Sequence, residues 1–511
     1  MAFEFSYELA RSWPTLAWLA QCEPGSDSIR IVHGPGVECR AGWFCEAVWD
    51  ADFAAGDFDR TDLIFGSGGR CRDEMVTLVA AGSTVDRLQF ATRGNATLVS
   101  NSLACLLEGI DARLDPAFRG YDELFEQINF GIDQPFPDLP TAGGRIGFTY
   151  FHNLVWDGTQ LRQAPKPAPS RDFGSFEKYT GFLRGAMQRM GENMSSPERM
   201  RPLDWLGTIS RGYDSATCVE LARDAGLRRV MTHDESRPGI PDDGVAIAEV
   251  LKVDCVMVNR LAWRSQPSPP EPLFLAADAQ GKELMVAGIP LDLDGMVMLT
   301  GQGGDRAWGM EFKSRPLPGA SGGQSAMHSL ARRWHSGLSL TEQRLHAGYI
   351  QLPLPFMGMR QLADLLELSN SPEMAAWDIG GHYSRPICRR ILEEAGVRRD
   401  MFGTVKTGAS IRFLRGEDEW SPDGKRSFFR WLRRHGPEHG MLRRALLEVR
   451  SLLLALETAL ALGRIGPGPV KKRFRRLAFR LARRIKASGL NDLAFVWAIE
   501  TVRKSYRRKD G

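Results

Sequence analysis

Between residues 203 and 258, short apolar stretches alternate with helical ones, and this alternation constrains the fold more than any other feature of the sequence. Residues 203–210, 228–233 and 254–259 have the composition of buried strands, whereas residues 216–225 and 243–251 have helical spacing. Strands that are joined through helices run parallel in one sheet. We therefore predict an α/β fold built on a parallel, doubly wound sheet.

The residues before this region indicate a different architecture. Residues 1–165 contain short strand-like segments separated by Gly, Asp and Asn, and residues 102–109 predict a brief helix. The segments 143–151 and 154–163 predict a hairpin with Asp157 and Gly158 at its turn. A Pro-rich stretch at 164–170 then predicts a linker.

The residues after it are expected to be mainly helical. Between 310 and 460 the helical pattern is interrupted at 351–358 (QLPLPFMG), and 315–324 predicts a flexible loop that could cover an active site. The predicted organisation is therefore a β-rich domain, an α/β domain with a helical C-terminal half, and a helical basic extension, over residues 1–165, 171–430 and 431–511.

The charge is distributed unevenly along the chain. The net charge is +4, but residues 464–511 carry 15 Lys and Arg against 3 Asp and Glu, a net of +12, so residues 1–463 carry 4 − 12 = −8. Between 470 and 485 apolar residues recur at helical spacing. Residues 470–511 could thus contact an anionic membrane surface or an acidic partner, or pack on the α/β domain with their charges solvated. We expect no nucleic-acid partner, because no basic–aromatic pattern recurs.

Other features of the sequence limit the class of protein and the compartment that it can belong to. No apolar run reaches the roughly 18 residues of a membrane span, and the N-terminus does not resemble a signal peptide. The eight cysteines include no CxxC pair and no zinc-like spacing, which predicts free thiols in a reducing compartment. We expect a cytoplasmic protein, with peripheral membrane contact through the basic tail as the alternative.

Two turns carry residues suited to phosphate and metal chemistry. Residues 210–215 (SRGYDS) lie between a predicted strand and a helix, where backbone N–H groups, hydroxyls and the helix dipole can bind pyrophosphate, and Asp214 can bind Mg²⁺. Residues 301–305 (GQGGD) follow another apolar strand, and Asp305 offers a second magnesium ligand. Each turn alone is also compatible with an ordinary strand-to-helix connection, whereas the pair is much less common.

Together the two turns resemble the ATP-pyrophosphatase domain of asparagine synthetase, β-lactam synthetase and the lasso-peptide cyclases. The helix predicted at 243–251 lies where that family has an Asp-Glu-containing helix, and residues 385–408 resemble the family's stretch ending in a lysine, here Lys406. The likeness covers roughly residues 200–415 and is weaker before residue 165.

The resemblance implies an AMP-forming ligase that uses ATP and Mg²⁺. A carboxylate attacks ATP to give an acyl-adenylate and pyrophosphate, and an amine or ammonia then displaces AMP. It further implies catalytic roles for Lys406 and Gln302 and magnesium ligands at Asp214 and Asp305. The residues implied in ATP and pyrophosphate binding are Ser210, Arg211, Gly212, Asp214, Ser215, Gly301, Gly303 and Gly304.

Three residues depart from the family pattern. Arg211 replaces the first Gly of the pyrophosphate turn; it is either strained there or adds a phosphate contact. Gln302 and Arg306 stand where asparagine synthetases have Glu, and Gln cannot act as a general base at neutral pH. These changes argue against free aspartate and ammonia as reactants.

The N-terminal region resembles a glutaminase domain of the N-terminal-nucleophile type through residues 96–109 (ATLVSNSLACLLEG). Active members begin Met-Cys, whereas this sequence begins Met1-Ala2, so we expect a degenerate domain without glutaminase activity. An unrelated β-rich domain is the alternative.

The sequence is compatible with several functions. As a ligase, the protein could amidate a sugar acid or amino acid for a surface polysaccharide, close a peptide macrolactam, or form asparagine from free ammonia. The acyl donor would be a small-molecule or peptide carboxylate. A non-catalytic nucleotide-binding scaffold is the alternative from a different class.

Overall fold

A computed structural model of the chain describes residues 3–132, 136–237, 239–310, 337–381, 383–403, 408, 410–411, 420–435 and 489–507. Ala2, Lys406, the predicted loop 315–324 and residues 470–488 of the basic tail lie outside the described residues. The described part is a mixed α/β structure in which a β-rich N-terminal region packs on a region built around a parallel sheet.

The N-terminal region is formed from two packed sheets. Its described strands are β1 (Glu4–Leu9), β2 (Trp18–Cys22), β3 (Ser28–His33), β4 (Glu38–Arg40), β5 (Trp43–Trp49), β6 (Ile64–Arg72), β7 (Met75–Val79), β8 (Leu88–Arg93), β9 (Ala96–Ser100), β10 (Leu139–Thr141), β11 (Gly144–Thr149), β12 (Asn153–Trp156) and β13 (Leu161–Ala164). One sheet has the order β1-β3-β2-β9-β8-β11-β10, and the other has the order β13-β12-β7-β6-β5-β4. Trp18 and Ile31 from the first sheet share a buried cluster with Phe44, Leu78 and Trp156 from the second, so the core lies between the sheets.

The sequence predicted much of this region, although one strand pairing differs. The predicted brief helix is α1 (Leu103–Gly109), and the Ser102 hydroxyl caps it by accepting a hydrogen bond from the Cys105 N–H. The predicted turn at Asp157 and Gly158 is confirmed and joins β12 to β13, whereas the segment 143–151 is not part of this hairpin. Strand β11 belongs to the other sheet, where it pairs with β8 and β10.

A parallel five-stranded sheet organises the second region. Its strands are β14 (Asp204–Thr208), β15 (Arg229–His233), β18 (Asp254–Val258), β19 (Met296–Thr300) and β20 (Ile350–Pro353). They lie in the order β18-β15-β14-β19-β20, and every neighbouring pair is parallel. The chain therefore proceeds outwards from β14 in both directions, which places the switch in strand order between β14 and β19. A small ribbon, β16 (Glu235–Arg237) and β17 (Ile240–Pro241), follows β15.

The edge strand β20 overlaps the stretch at 351–358, where sequence analysis predicted an interruption of the helical pattern but no strand. Its last residue is Pro353, which lacks an N–H group and weakens the strand signal. A proline at the end of an edge strand is compatible with pairing on one side only.

The described helices surround the parallel sheet or lie at its junction with the N-terminal region. After α1 they are α2 (Tyr121–Glu126), α3 (Phe176–Met194), α4 (Tyr213–Ala222), α5 (Val245–Leu251), α6 (Glu271–Asp278), α7 (Gly304–Ala307), α8 (Thr341–Ala347), α9 (Leu362–Ser369), α10 (Pro386–Glu394), α11 (Pro422–His435) and α12 (Leu490–Val502). The predicted helix at 176–194 is confirmed by α3. The helix predicted at 216–225 begins three residues earlier, at Tyr213, because Gly212 forms its N-cap.

The two regions share a buried ion-pair network. Arg344 of α8 donates to Glu46 Oε2 at 2.8 Å and to Asp86 Oδ1 at 2.9 Å, and the Arg344 and Glu46 side chains have no exposed surface. Ser67 and Asn101 also donate to Glu46 Oε1, which ties the network to the N-terminal core. Breaking such a buried pair costs about 3–5 kcal/mol, so this network fixes α8 against the N-terminal region.

The described end of the basic extension packs inside the structure. The helix α12 buries Leu490, Phe495 and Trp497, and the Asp492 carboxylate accepts a hydrogen bond from the Asp122 N–H. Residues 489–507 therefore contact the N-terminal region. None of the helices in the described part of the chain combines the length and apolar character that a membrane-spanning helix requires.

The Pro-rich segment at 164–170, expected to be a linker, carries a buried side chain. Lys166 is 2% exposed and donates to Asn153 Oδ1 at 2.8 Å. Burial lowers the pKa of Lys166 to about 7. This segment is thus held against the β-rich region at Lys166.

Candidate active site

A cleft of about 510 Å³ opens at the carboxyl ends of β14, β15 and β19, where the order of the sheet switches. The two turns that the sequence identified, at 210–215 and 301–305, both border it. Its described lining consists of Thr208, Ile209, Ser210, Gly212, Asp214, Ser215, Met231, His233, Arg237, Asp242, Glu283, Met285, Val286, Ile289, Met298, Thr300, Gly301, Gln302, Asp305, Leu340, Tyr383, Gly408 and Ser410.

The first turn presents hydroxyl and backbone donors to the cleft. The Gly212 N–H donates to Ser210 Oγ at 3.1 Å, and Ser210 Oγ lies 3.2 Å from Ser215 Oγ. Helix α4 begins at Tyr213, and its glycine N-cap has no side chain to accept from the N–H groups of the first turn. The N-terminus of α4 and the hydroxyls of Ser210 and Ser215 therefore form a site suited to a phosphate group.

The two turns are in direct contact, and glycine makes this contact possible. A Cβ at 304 would lie 2.4 Å from Asp214 Cγ, and a Cβ at 301 would lie 2.6 Å from the Ser215 nitrogen. Gly303 is needed for a different reason, because its φ of +94° lies in the left-handed region. Larger residues at 301 and 304 would force the turns apart and enlarge the spacing between the two aspartates.

Asp214 and Asp305, the two predicted magnesium ligands, share one buried arginine. Arg385, which begins the stretch at 385–408, donates through Nη2 to Asp305 Oδ1 at 3.0 Å. Burial alone would lower the pKa of Arg385, but the charges of Asp214 and Asp305 raise it. Arg385 thus links the described part of residues 385–408 to the second turn through its hydrogen bond to Asp305.

The donor set fits magnesium that is bound together with phosphates. Within the described residues, no group of three or more His, Cys, Asp or Glu side chains could hold a metal ion without another ligand. Mg²⁺ commonly takes one or two carboxylates and completes its shell with water and substrate phosphates. Two aspartates beside a turn suited to phosphate meet that requirement.

Arg211 is not strained, and its side chain is paired with an aspartate outside the cleft lining. It is not among the residues with positive φ, so its backbone is not strained in the left-handed region. Its guanidinium is 3.6 Å from the Asp243 carboxylate, and the side chain is half exposed. Arg211 does not line the cleft, and its partner comes from the predicted Asp-bearing segment before α5.

Gln302 lies in the cleft with its amide held in one orientation. Its Oε1 accepts hydrogen bonds from Thr300 Oγ1 at 3.3 Å and from Gln351 Nε2. Its Nε2 has no hydrogen-bond partner among the described residues. The amide nitrogen can therefore donate to an oxygen of a bound substrate. Arg306, the other departure at this turn, lies on α7 outside the described lining.

Sequence analysis missed several polar residues in the cleft, among them His233, Arg237 and Glu283. Burial lowers the pKa of His233 to about 4, so its ring is neutral at pH 7. His233 is the last residue of β15, and the rule that ligands bind at the carboxyl ends of parallel strands could have identified it. Arg237 and Glu283 follow no motif, and only the tertiary fold brings them to the site.

No model of a known protein family matches the chain, and no curated protein matches it either.

Proposed function

We propose that the protein is an ATP-dependent, AMP-forming amide (carbon–nitrogen) ligase of the asparagine-synthetase type. It would activate a carboxylate as an acyl-adenylate and transfer the acyl group to an amine or ammonia. The observation that supports this proposal most is the contact between the Asp214 and Gly304 turns, which brings both predicted magnesium ligands into one cleft.

The cleft offers separate surroundings for the parts of ATP. On the β15 side, Ile209, Met231 and the neutral ring of His233 offer apolar and uncharged contacts that suit adenine, while Arg237 and Asp242 also line the cleft. The serines and helix N-terminus of the first turn suit the pyrophosphate. Mg²⁺ at Asp214 and Asp305 would neutralise phosphate charge as pyrophosphate leaves.

Gln302 would act on the acyl group and not as a base. Its free Nε2 donor lies in the cleft, so it can hold the attacking carboxylate or the acyl oxygen of the adenylate. The roles proposed for Lys406 rest on the sequence motif alone. The favoured reactants are a sugar acid, amino acid or peptide carboxylate and an amine, in preference to aspartate and ammonia.

The N-terminal region would contribute no glutaminase nucleophile. Burial is the largest cause that raises the pKa of each of its thiols: to about 12 for Cys22, Cys39 and Cys71, and well above the usual range for Cys45 and Cys105. A thiol in that state is a poor nucleophile. We infer that this region supports α8 and the cleft wall through the Arg344 network.

A second candidate function is a non-catalytic nucleotide-binding scaffold. The ion pair between Arg385 and Asp305 favours it, because a guanidinium there competes with a metal ion for the carboxylate. The ligase proposal requires this arginine to shift towards phosphate oxygens when MgATP binds, a contact for which guanidinium is well suited.

Thermal unfolding with and without MgATP tests the proposed site. MgATP should raise the Tm of the unaltered protein, and Asp214→Ala should abolish the increase. Asp224→Ala, which alters a surface aspartate with an 80% exposed side chain, is the matched control and should keep it. An increase that survives Asp214→Ala would place the nucleotide elsewhere.

A further inference from the structure

Glu283 is a cleft carboxylate to which the proposed metal and phosphate contacts assign no task, as is Asp242. It precedes a short 3-10 helix, Leu284–Gly288, and lies next to Gln302: the Gly337 N–H donates to Glu283 Oε1 at 2.9 Å, and a Cβ at 337 would lie 2.6 Å from Gln302 Oε1. Glu283 and Gln302 therefore lie close together in the lining of the cleft.

The Glu283 carboxylate is held in place but keeps the capacity to bind a substrate. Ser339 Oγ donates to Oε2, and the Gly337 N–H donates to Oε1. A carboxylate has about four acceptor positions, so two donors leave room for the N–H groups of a bound amine. Neither donor is charged, so the negative charge of Glu283 is not neutralised by these contacts.

The surroundings of Glu283 favour an amine with an apolar body. Met285 lies two residues after Glu283 on the 3-10 helix, Leu340 follows Ser339, and both line the same cleft as the Glu283 carboxylate. Both are at most 7% exposed. Ammonia would leave this apolar wall without contact, whereas an alkyl group would bury against it.

We propose that Glu283 binds the amine substrate and accepts its proton, acting as the general base, a role that Gln302 cannot fill. This assignment rests on the proposed ligase function. The neutral amine nitrogen forms the bond to the acyl carbon, and the bond from that carbon to the phosphate oxygen breaks with its electron pair on AMP. The proton released by the nitrogen passes to a Glu283 oxygen and then to solvent. The acceptor is a primary amine with an apolar substituent.

The test separates the two half-reactions. ATP–pyrophosphate exchange reports the adenylation step, and amide formation with n-butylamine or ammonium chloride reports the second step, each with the carboxylate that best supports exchange. Glu283→Gln should leave exchange within about twofold of the unaltered protein, because Glu283 acts after adenylation. It should lower kcat/KM for n-butylamine roughly 10²-fold, the usual contribution of a positioned base.

Two controls keep the outcome interpretable. Glu367→Gln alters an exposed glutamate on α9 and should change neither half-reaction. Glu283→Asp should restore part of the n-butylamine activity, which a purely structural defect would not show. Unchanged amide formation in Glu283→Gln, or a preference for ammonium over n-butylamine in the unaltered protein, would overturn the assignment to Glu283. Absence of exchange in the unaltered protein would instead contradict the ligase function itself.

Discussion

The carboxylate of Asp214 lies so close to the backbone of Gly304 that a Cβ at 304 would come within 2.4 Å of its Cγ. This contact joins the turn after β14 to the turn after β19. The spacing between the two predicted magnesium ligands, Asp214 and Asp305, therefore depends on the absence of a Cβ at position 304.

Gly304→Ala should lower the free energy of unfolding by about 1–3 kcal/mol, the usual cost of overpacking, and should remove the Tm increase caused by MgATP. Gly181→Ala is the matched control, because Gly181 is an exposed residue of α3 whose added Cβ would meet nothing within 4 Å. It should stabilise the protein by about 0.5–1 kcal/mol. Denaturant unfolding and thermal shifts on both variants measure these effects, and a Gly304→Ala protein with a normal MgATP response would contradict the contact.

The ion-pair network at Arg344 predicts a large effect on stability. Arg344→Met leaves the buried carboxylates of Glu46 and Asp86 without their cation and should cost about 3–5 kcal/mol. Combining it with Glu46→Gln and Asp86→Asn should recover much of that loss, because no buried charge then remains. The exposed pair of Arg398 and Asp400 gives the control, and Arg398→Met should have little effect on unfolding.

The raised pKa of the buried Asp278 carboxyl predicts that the stability of the protein depends on pH. The carboxyl is 2% exposed; burial, and then the charge of Glu283, raise its pKa from 3.8 to about 7. The folded state therefore binds a proton that the unfolded state has released, so stability should fall as pH rises from about 4 to about 7 and then level off.

Asp278→Asn should remove that slope, because the amide oxygen can still accept from the N–H groups of Gln280 and Gly281. Above pH 7 the variant should be more stable than the unaltered protein, on the order of 1–4 kcal/mol. Urea unfolding at pH 5, 6, 7 and 8 provides the measurement. Equal slopes for the two proteins would mean that Asp278 is already ionised in the folded state below pH 5.

The position of Gln302 predicts that a substitution there impairs acyl activation but leaves nucleotide binding intact. Gln302→Leu removes the Nε2 donor and should lower carboxylate-dependent exchange roughly 10²-fold or more, the cost of losing one donor to a developing charge. The Tm increase with MgATP should stay, because Gln302 lies close to Glu283 in the cleft lining. Loss of both signals would indicate that Gln302 supports the turn and not the acyl group.

The strands and helices of the parallel sheet could be predicted because their signals are local. Apolar runs and helical spacing identified β14, β15 and β18 together with α3, and the strand-to-helix position of Ser210 and Asp214 located the first turn of the cleft. Edge strand β20 gave a weaker signal, since Pro353 and a short length obscured its pattern.

The rest of the site depends on contacts between residues distant in sequence. Arg385 reaches Asp305 across 80 residues, and Gly337 reaches Glu283 across 54. The orientation of Arg211 likewise depends on Asp243. No local pattern encodes such pairs, so the sequence could identify the two turns but neither the arginine between their aspartates nor the glutamate beside Gln302.

ATP–pyrophosphate exchange against a panel of sugar acids, amino acids and peptides tests the central claim most directly. The proposed ligase predicts exchange that requires Mg²⁺ and one class of carboxylate, and that falls to background in Asp214→Ala but not in Asp224→Ala. Nucleotide binding without exchange for any of these carboxylates would contradict the ligase proposal and would favour a nucleotide-binding scaffold.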